Sequence, residues 1–436
     1  MFEEQFFEIL NRELVVAMGC TEPIAIVIAA AHVKKHSNGK IKAVNVKASR
    51  NIVKNAFSVK IPGTNDCGIN LAAALGMCIS PSEINMEVLE DIQNEEVDAA
   101  KKMVEDGLVS VELADTPKKL YIEVTVETDR SISRAVVEDF HDNVVLVEVD
   151  GKKLDIENIK KPMKNNDSIF DELSLDEILR FINEVETHKL GLIKECIKLN
   201  TQISFEGINN CYGIKVGKNI HTNIGGDIFG NDICNHAVAL TASGSDARMA
   251  GCNLPVMTNS GSGNQGISAT MPVVVFAAYF NADEETLLRA VTLSNLITIY
   301  IKSSLGRLSA LCGATVASAG SCCGITYIMG GNNDQIKSAL QNILGNITGM
   351  ICDGAKAGCA LKVATCTSAA IQSVICVMEG QHIKSTDGII EEDPEETIKN
   401  FCNIGQAGMA EADKIILEIM MTKSNSPPVH LESDSK

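Results

Sequence analysis

Residues 109–150 read VSVELADTPKKLYIEVTVETDRSISRAVVEDFHDNVVLVEVD, and their period decides the fold class. Apolar and polar side chains alternate in VSVELAD, LYIEVTVET, SRAVVED and NVVLVEVD, the two-residue period of half-buried strands. Turn-forming residues separate the four segments, so the stretch predicts a four-stranded antiparallel meander. Upstream, IKAVNVKAS and FSVKIP alternate in the same way, INLAAALGMCI predicts a helix, and PSEINMEVLEDIQNEEVDAAKKMVEDG predicts a charged helix. The first 36 residues predict two helices broken at Gly19-Cys20-Thr21-Glu22-Pro23, an N-cap candidate ahead of a first-turn proline. Downstream, the polar stretch GKKLDIENIKKPMKNNDS has no apolar period and marks a boundary near residue 165. Beyond it LSLDEILRFINEVE, HAVALTASGSDARMAG, GISATMPVVVFAAYF and SAAIQSVICVMEG carry helical spacing. The expectation is an α+β chain: an N-terminal α+β domain with an antiparallel sheet over 1–165, an all-helical domain over 166–423, and a disordered tail over 424–436.

A chain of 436 residues, 45% of them hydrophobic, can bury a substantial core. Aromatics are 4% and tryptophan is absent, while Ala, Gly, Ser and Cys crowd the second half, which predicts helices packed closely through small side chains. A net charge of -18 opposes a phosphate backbone, and no basic stripe offsets it, so nucleic acid is not an expected partner. The opening MFEEQFFEILNREL is an acidic amphipathic pattern rather than a basic leader, and the apolar run in MPVVVFAAYF is half a membrane span. The expectation is a cytosolic protein with no membrane partner; self-association is left open. Fifteen cysteines in a cytosolic setting point to reduced thiols, and so to metal or catalysis for some. Cys78, Cys196, Cys376 and Cys402 read as small buried hydrophobes.

The chemistry concentrates between residues 250 and 370. Cys312 opens one segment, and Cys352 and Cys359, with six residues between them, stand in another. Cys352-Asp-Gly has turn chemistry and the chain after Cys359 reads as helix, which puts this pair at a loop-to-helix junction near a positive helix end. Neither the tight cysteine run of a ferredoxin nor the paired steps of a zinc ribbon is present. An iron-sulfur cluster held by three scattered cysteines would keep one iron open as a Lewis acid. Gly261, Gly263 and Gly266 satisfy G-x-G-x-x-G, yet the chain before them is a poor strand and the chain after them helical, which rejects the dinucleotide reading. The alternative is an anion-binding loop ahead of a helix, built from Ser260, Gly261, Ser262, Gly263, Asn264 and Gln265. Plain tight-turn use of the glycines stands beside it. Cys20 at a helix start is either a base or nucleophile, or a buried thiol. The turn-rich IPGTNDCG segment is a candidate pocket wall, and Lys54 with Asn55, Asp246-Ala-Arg248 and Lys302 are candidates to orient a zwitterion. The eight histidines lack zinc-hydrolase spacing, and no Walker A motif occurs.

Taken together, GCTEPIAIVIAAA, IPGTNDCGINLAAALG, SDARMAG, PVMTNSGSGNQGI, CGATVASAG and ICDGAKAGCALK resemble the L-cysteine desulfidase family, relatives of the bacterial iron-sulfur L-serine dehydratases. The likeness runs from residue 19 to 366. It implies an all-helical dehydratase-type C-terminal domain, a [4Fe-4S] cluster as cofactor, and Cys312, Cys352 and Cys359 as its ligands. Cys322, Cys323 and Cys366 stand near enough in sequence to replace one of them. It also implies β-elimination on a small amino acid, L-cysteine giving pyruvate, ammonia and hydrogen sulfide, with Cys20 as base and Lys302 as the second candidate. L-Serine dehydration is the nearest alternative, and a non-catalytic chain holding zinc or a redox cluster is the alternative from another class.

Overall fold

The computed structural model describes residues 2–155, 170 and 173–423; the expected boundary near 165 and the expected tail over 424–436 lie outside them. The fold is α+β. Helix Phe2–Glu13 is followed by a short strand, β1 (Val16–Met18), and by helix Thr21–His36. Then β2 (Ile41–Ala48), β3 (Val109–Leu113), β4 (Tyr121–Thr128), β5 (Ile132–Glu138), β6 (Val144–Val149) and β7 (Lys152–Lys153) form one sheet in the order β3-β2-β4-β5-β6-β7.

β4, β5 and β6 make the predicted meander, with Ala135 opposite both Val124 and Val147. β3 does not join it. It lies beyond β2 and runs parallel to it, Val44 opposite Val109, so the sheet is mixed rather than purely antiparallel. β2 has Val44, Val46 and Ala48 buried, and both its edges demand ladder partners; the central place satisfies both. FSVKIP does not form a strand: helix Arg50–Ala56 ends just before it, and Lys60 keeps only an isolated bridge to Cys67. The charged helix begins at Asn94, later than predicted, where Gln93 and Glu96 close a capping box.

Helix Thr21–His36 is buried over most of its length between the sheet and helix Ile69–Cys78, which suits its all-round apolar sequence. The helical body is organised around Gly313–Ile328, buried from Ala314 to Thr326 and packed by Gly263–Tyr279, Glu284–Leu305, Asn333–Ile347 and Cys359–Met378. The small-residue expectation holds here. A Cβ on Gly320 would stand 2.2 Å from the Ser294 carbonyl oxygen, and one on Gly324 2.8 Å from that of Ala290. Among the described residues one helix, Cys359–Met378, is long and apolar enough to cross a membrane, but half of that window is buried in this body. Cys196 and Cys402 are buried, whereas Cys78 is partly exposed and Cys376 exposed, so two of the four hydrophobe assignments fail.

The two bodies interlock at both chain ends. Phe6, Ile9, Leu10 and Leu14 of the first helix belong to the core of the helical body. Leu417 and Met420 of the last helix, Ala410–Met421, belong to the core beneath the sheet. β1 pairs antiparallel with β8 (Pro255–Met257), Val16 opposite Met257, and this ribbon brings the Cys20 turn beside the Gly261 loop.

Candidate functional site

Two chain segments that are far apart in sequence meet through backbone hydrogen bonds. Leu311 bridges Ile351, the Cys312 N–H donates to Met350 at 2.9 Å, and the Cys352 N–H donates to Ala310 at 2.7 Å. This two-stranded contact sets Cys312 beside Cys352. Seven residues on, Cys359 begins the Cys359–Met378 helix. The three cysteines line one cavity of about 90 Å³, well short of a nucleotide-sized pocket. Cys20, Arg248, Ser262 and Asn264 line it as well.

Four helices start at this cavity. Cys20 is the N-cap of Thr21–His36, Ser262 of Gly263–Tyr279 and Cys312 of Gly313–Ile328, while Cys359 is the first residue of its helix. Helix N-termini present free N–H groups and partial positive charge, so their convergence favours anions in the space between them. Only Ser262 spends its side chain on the cap, accepting from the Gln265 N–H; Cys20 and Cys312 do not.

Burial pushes the Cys312 thiol well up, and the neighbouring Cys352, Cys366 and Cys359 push it further. Burial also raises Cys359. Such mutual opposition of sulfurs is what a shared cation relieves, because metal binding displaces thiol protons. Among the described residues no three His, Cys, Asp or Glu side chains stand close enough to share one metal ion. The three thiols line one cavity instead.

Cys20 is held as a thiol. Burial raises it well above the ordinary range and the Glu22 carboxylate raises it further, to which it donates at 3.1 Å. The helix start does not offset these two effects. Burial works to raise Glu22 too, but His141, Cys20 and Asn55 outweigh it and hold the carboxyl well below the usual range. Asn55 donates to Glu22 Oε1 at 2.8 Å, and His141 Nε2 stands 3.9 Å from the same oxygen. Glu22 and His141 form part of the arrangement that sequence reading did not single out; Glu22 lay inside the quoted GCTEP motif, whereas nothing local marks His141.

The loop Ser260–Gln265 divides its work. Ser262 and Asn264 face the cavity, and Gly261 faces a neighbouring cavity shared with His141 and Arg307. Ser260 turns its hydroxyl to Asn259 and takes a left-handed backbone, φ 48, and Gln265 also donates to Asn259. A non-glycine residue held there is strain of the kind found at sites. Gly263 packs against Arg248: its Cβ would fall 2.2 Å from the guanidinium Nε. Arg248 is 3% exposed, and its Nε, Asn55 Oδ1 and Asn264 Oδ1 have no hydrogen-bond partner. Lys302 is buried, which pulls it down to about 8 against the opposing pull of Cys352, but it is not among the residues lining the cavity.

Asp246, two residues before Arg248, looks the other way and accepts the Gly217 N–H at 2.9 Å. Burial lifts its carboxyl from 3.8 to about 6 against the N–H groups of Gly217, Val216 and Lys215. The folded chain thus holds a proton that the unfolded chain releases, so this group's contribution to stability falls as pH rises from about 4 to about 6. Urea midpoints across that window should fall in the wild type relative to Asp246→Asn; parallel curves would contradict the shift.

The family model described as "Serine dehydratase alpha chain" matches residues 83–418. A UPF0597 protein of Oleidesulfovibrio alaskensis is 42% identical over 419 residues, covering 96% of this chain and 98% of that one. A UPF0597 protein of Clostridium perfringens is 41% identical over 431 residues, 97% and 99% covered, and one of Phocaeicola vulgatus 42% over 422 residues, 96% and 98% covered. With Cys312, Cys352 and Cys359 all inside the matched span, the chain belongs to the serine dehydratase alpha chain family.

Proposed function

We propose that the chain is a [4Fe-4S]-dependent lyase that eliminates the thiol of L-cysteine to give pyruvate, ammonia and hydrogen sulfide. The observation that carries this reading is the convergence of Cys312, Cys352 and Cys359 with four helix N-termini on one cavity. The donor set fits the cluster: three soft sulfurs, two of them held protonated by burial and by each other, around one small space. Bound there, the cluster would supply a Lewis acid for the departing sulfur.

The remaining work falls to the chain's own groups. Arg248, with the N-terminus of Gly263–Tyr279 and Asn264, binds the substrate carboxylate, and Asn55 Oδ1 accepts from the ammonium. The α-proton passes to Cys20 Sγ as the thiol's own proton moves to Glu22 Oε2, so the base is a pair rather than a lone thiolate, and the step runs uphill against the two groups' resting proton affinities. The Cβ–S bond breaks with its electron pair on sulfur, and the aminoacrylate released tautomerises and hydrolyses to pyruvate and ammonia. Gly263→Ala should displace Arg248, raising KM for the amino acid by about ten-fold while kcat changes less, at a stability cost of about 1–3 kcal/mol. An unchanged KM would remove Arg248 from the carboxylate site.

L-Serine dehydration is the second reading, favoured by the family match. Anaerobic turnover of L-cysteine against L-serine, with iron measured on the same sample, separates them. Brown, iron-containing protein that releases sulfide faster than it dehydrates serine is expected. Faster serine turnover selects the second reading, and a colourless zinc-loaded protein without lyase activity overturns both.

A further inference from the structure

The loop that carries Cys352 is held by residues outside the helical body. Lys54, on helix Arg50–Ala56, is 1% exposed; its Nζ donates to the Cys352 carbonyl oxygen at 3.2 Å and to Asp413 Oδ1 at 2.5 Å. Asn51, on the same helix, donates to Asp413 Oδ2 at 3.0 Å. Asp413 sits on the last helix, Ala410–Met421. Two residues after Cys352, Gly354 adopts φ +91, and a Cβ there would stand 2.4 Å from the Lys54 carbonyl oxygen and 3.4 Å from Met420 Cε. The Cys352–Gly354 loop is therefore wedged between a helix of the sheet body and the last helix, and one buried ammonium ties all three segments together.

We propose that Lys54, fixed by Asp413, is a positioning residue for the Cys352 loop, so that the last helix is a clamp on the cluster-binding cavity. This rests on the reading of Cys352 as a cluster ligand for its functional meaning, though not for its geometry. A buried ammonium with a carboxylate on one side and a carbonyl on the other makes two charge-assisted bonds, and removing it frees the loop while leaving Asp413 only its bond from Asn51. Asn55, the next residue, bonds Glu22, so one short helix holds both the ligand loop and the proton-accepting pair. A change in the last helix would then reach the site without touching a ligand.

The test uses Lys54→Met and, because a buried lysine is a demanding site, Asp413→Asn, whose side chain is 20% exposed. In metal-free protein under native conditions, iodoacetamide labelling of Cys352, followed by mass spectrometry of its peptide, should speed up about ten-fold in both variants, the change in local opening that loss of one charge-assisted hydrogen bond gives. Cys322, fully buried in the central helix, reports global opening and should stay at the wild-type rate. After reconstitution with ferrous iron and sulfide, both variants should also lose iron to a chelator faster than wild type. Unchanged Cys352 labelling, or a parallel rise at Cys322, overturns the clamp. A wild-type chain that takes up no iron would sink the cluster reading instead, and the labelling comparison on metal-free protein still decides the clamp.

Discussion

Cys352→Ala is expected to leave a folded chain that holds no intact cluster and has lost about 10³-fold or more of its lyase activity, the several kcal/mol that a Lewis-acidic metal contributes. Its backbone stays pinned through the Ala310 carbonyl, so the loss is chemical rather than architectural. Cys312→Ala and Cys359→Ala should behave alike, since both thiols line the same cavity at helix starts. Cys322 and Cys323 are buried in the interior of the central helix and do not line the cavity, so alanine there should keep the iron. Cys366 is the discriminating control: it stands close enough to raise Cys312 yet lines no part of the cavity. Iron per chain, the visible spectrum and the melting temperature measured on each variant check the assignment. If Cys366→Ala loses iron while Cys359→Ala keeps it, the ligand set is Cys312, Cys352 and Cys366.

Cys20→Ala should keep its iron and lose about 10²–10⁴-fold in kcat, the usual contribution of a positioned base. KM should change little, because the proposed carboxylate contacts are Arg248, Asn264 and the N-terminus of Gly263–Tyr279 rather than Cys20. Glu22→Gln should lower kcat in the same way: an amide cannot take the Cys20 proton across the 3.1 Å contact. Exchange of the substrate α-proton with deuterated solvent gives an independent readout, and it should vanish in both variants. Loss of the cluster in Cys20→Ala would mean that this sulfur holds metal, and the base would have to be sought elsewhere. Lys302, which is not among the residues lining the cavity, is the weaker candidate.

Much of the site was legible because its parts are local signals. Cys312 and Cys359 sit at helix starts, which are written in a few adjacent residues, and Cys352 in the turn before the second of them. Ser262 caps the helix that the loop reading places after it. Arg248 and Asn55 were visible as polar residues in apolar surroundings, but which way each pointed was not. Asp246, two residues from Arg248 in the same motif, faces Gly217 instead of the cavity, because successive positions on a helix point to different sides. His141 carries no local mark; only the packing of the sheet loop against helix Thr21–His36 brings it toward Glu22.

The same division runs through the fold. Period two and period 3.6 by themselves determined an α+β chain with a sheet-bearing first part and a helical second part, since burial of one face imposes those periods wherever the element lies. Tertiary structure alone decided that β2 separates β3 from β4, that β1 finds β8, and that the first and last helices each pack into the other body's core. Edge pairing is backbone chemistry, nearly blind to side chains, and three-residue strands are too short to show a period. It also decided that Cys20 stays a thiol beside Glu22, because charge and burial at a point are sums over everything that packs there, and no stretch of sequence contains that sum.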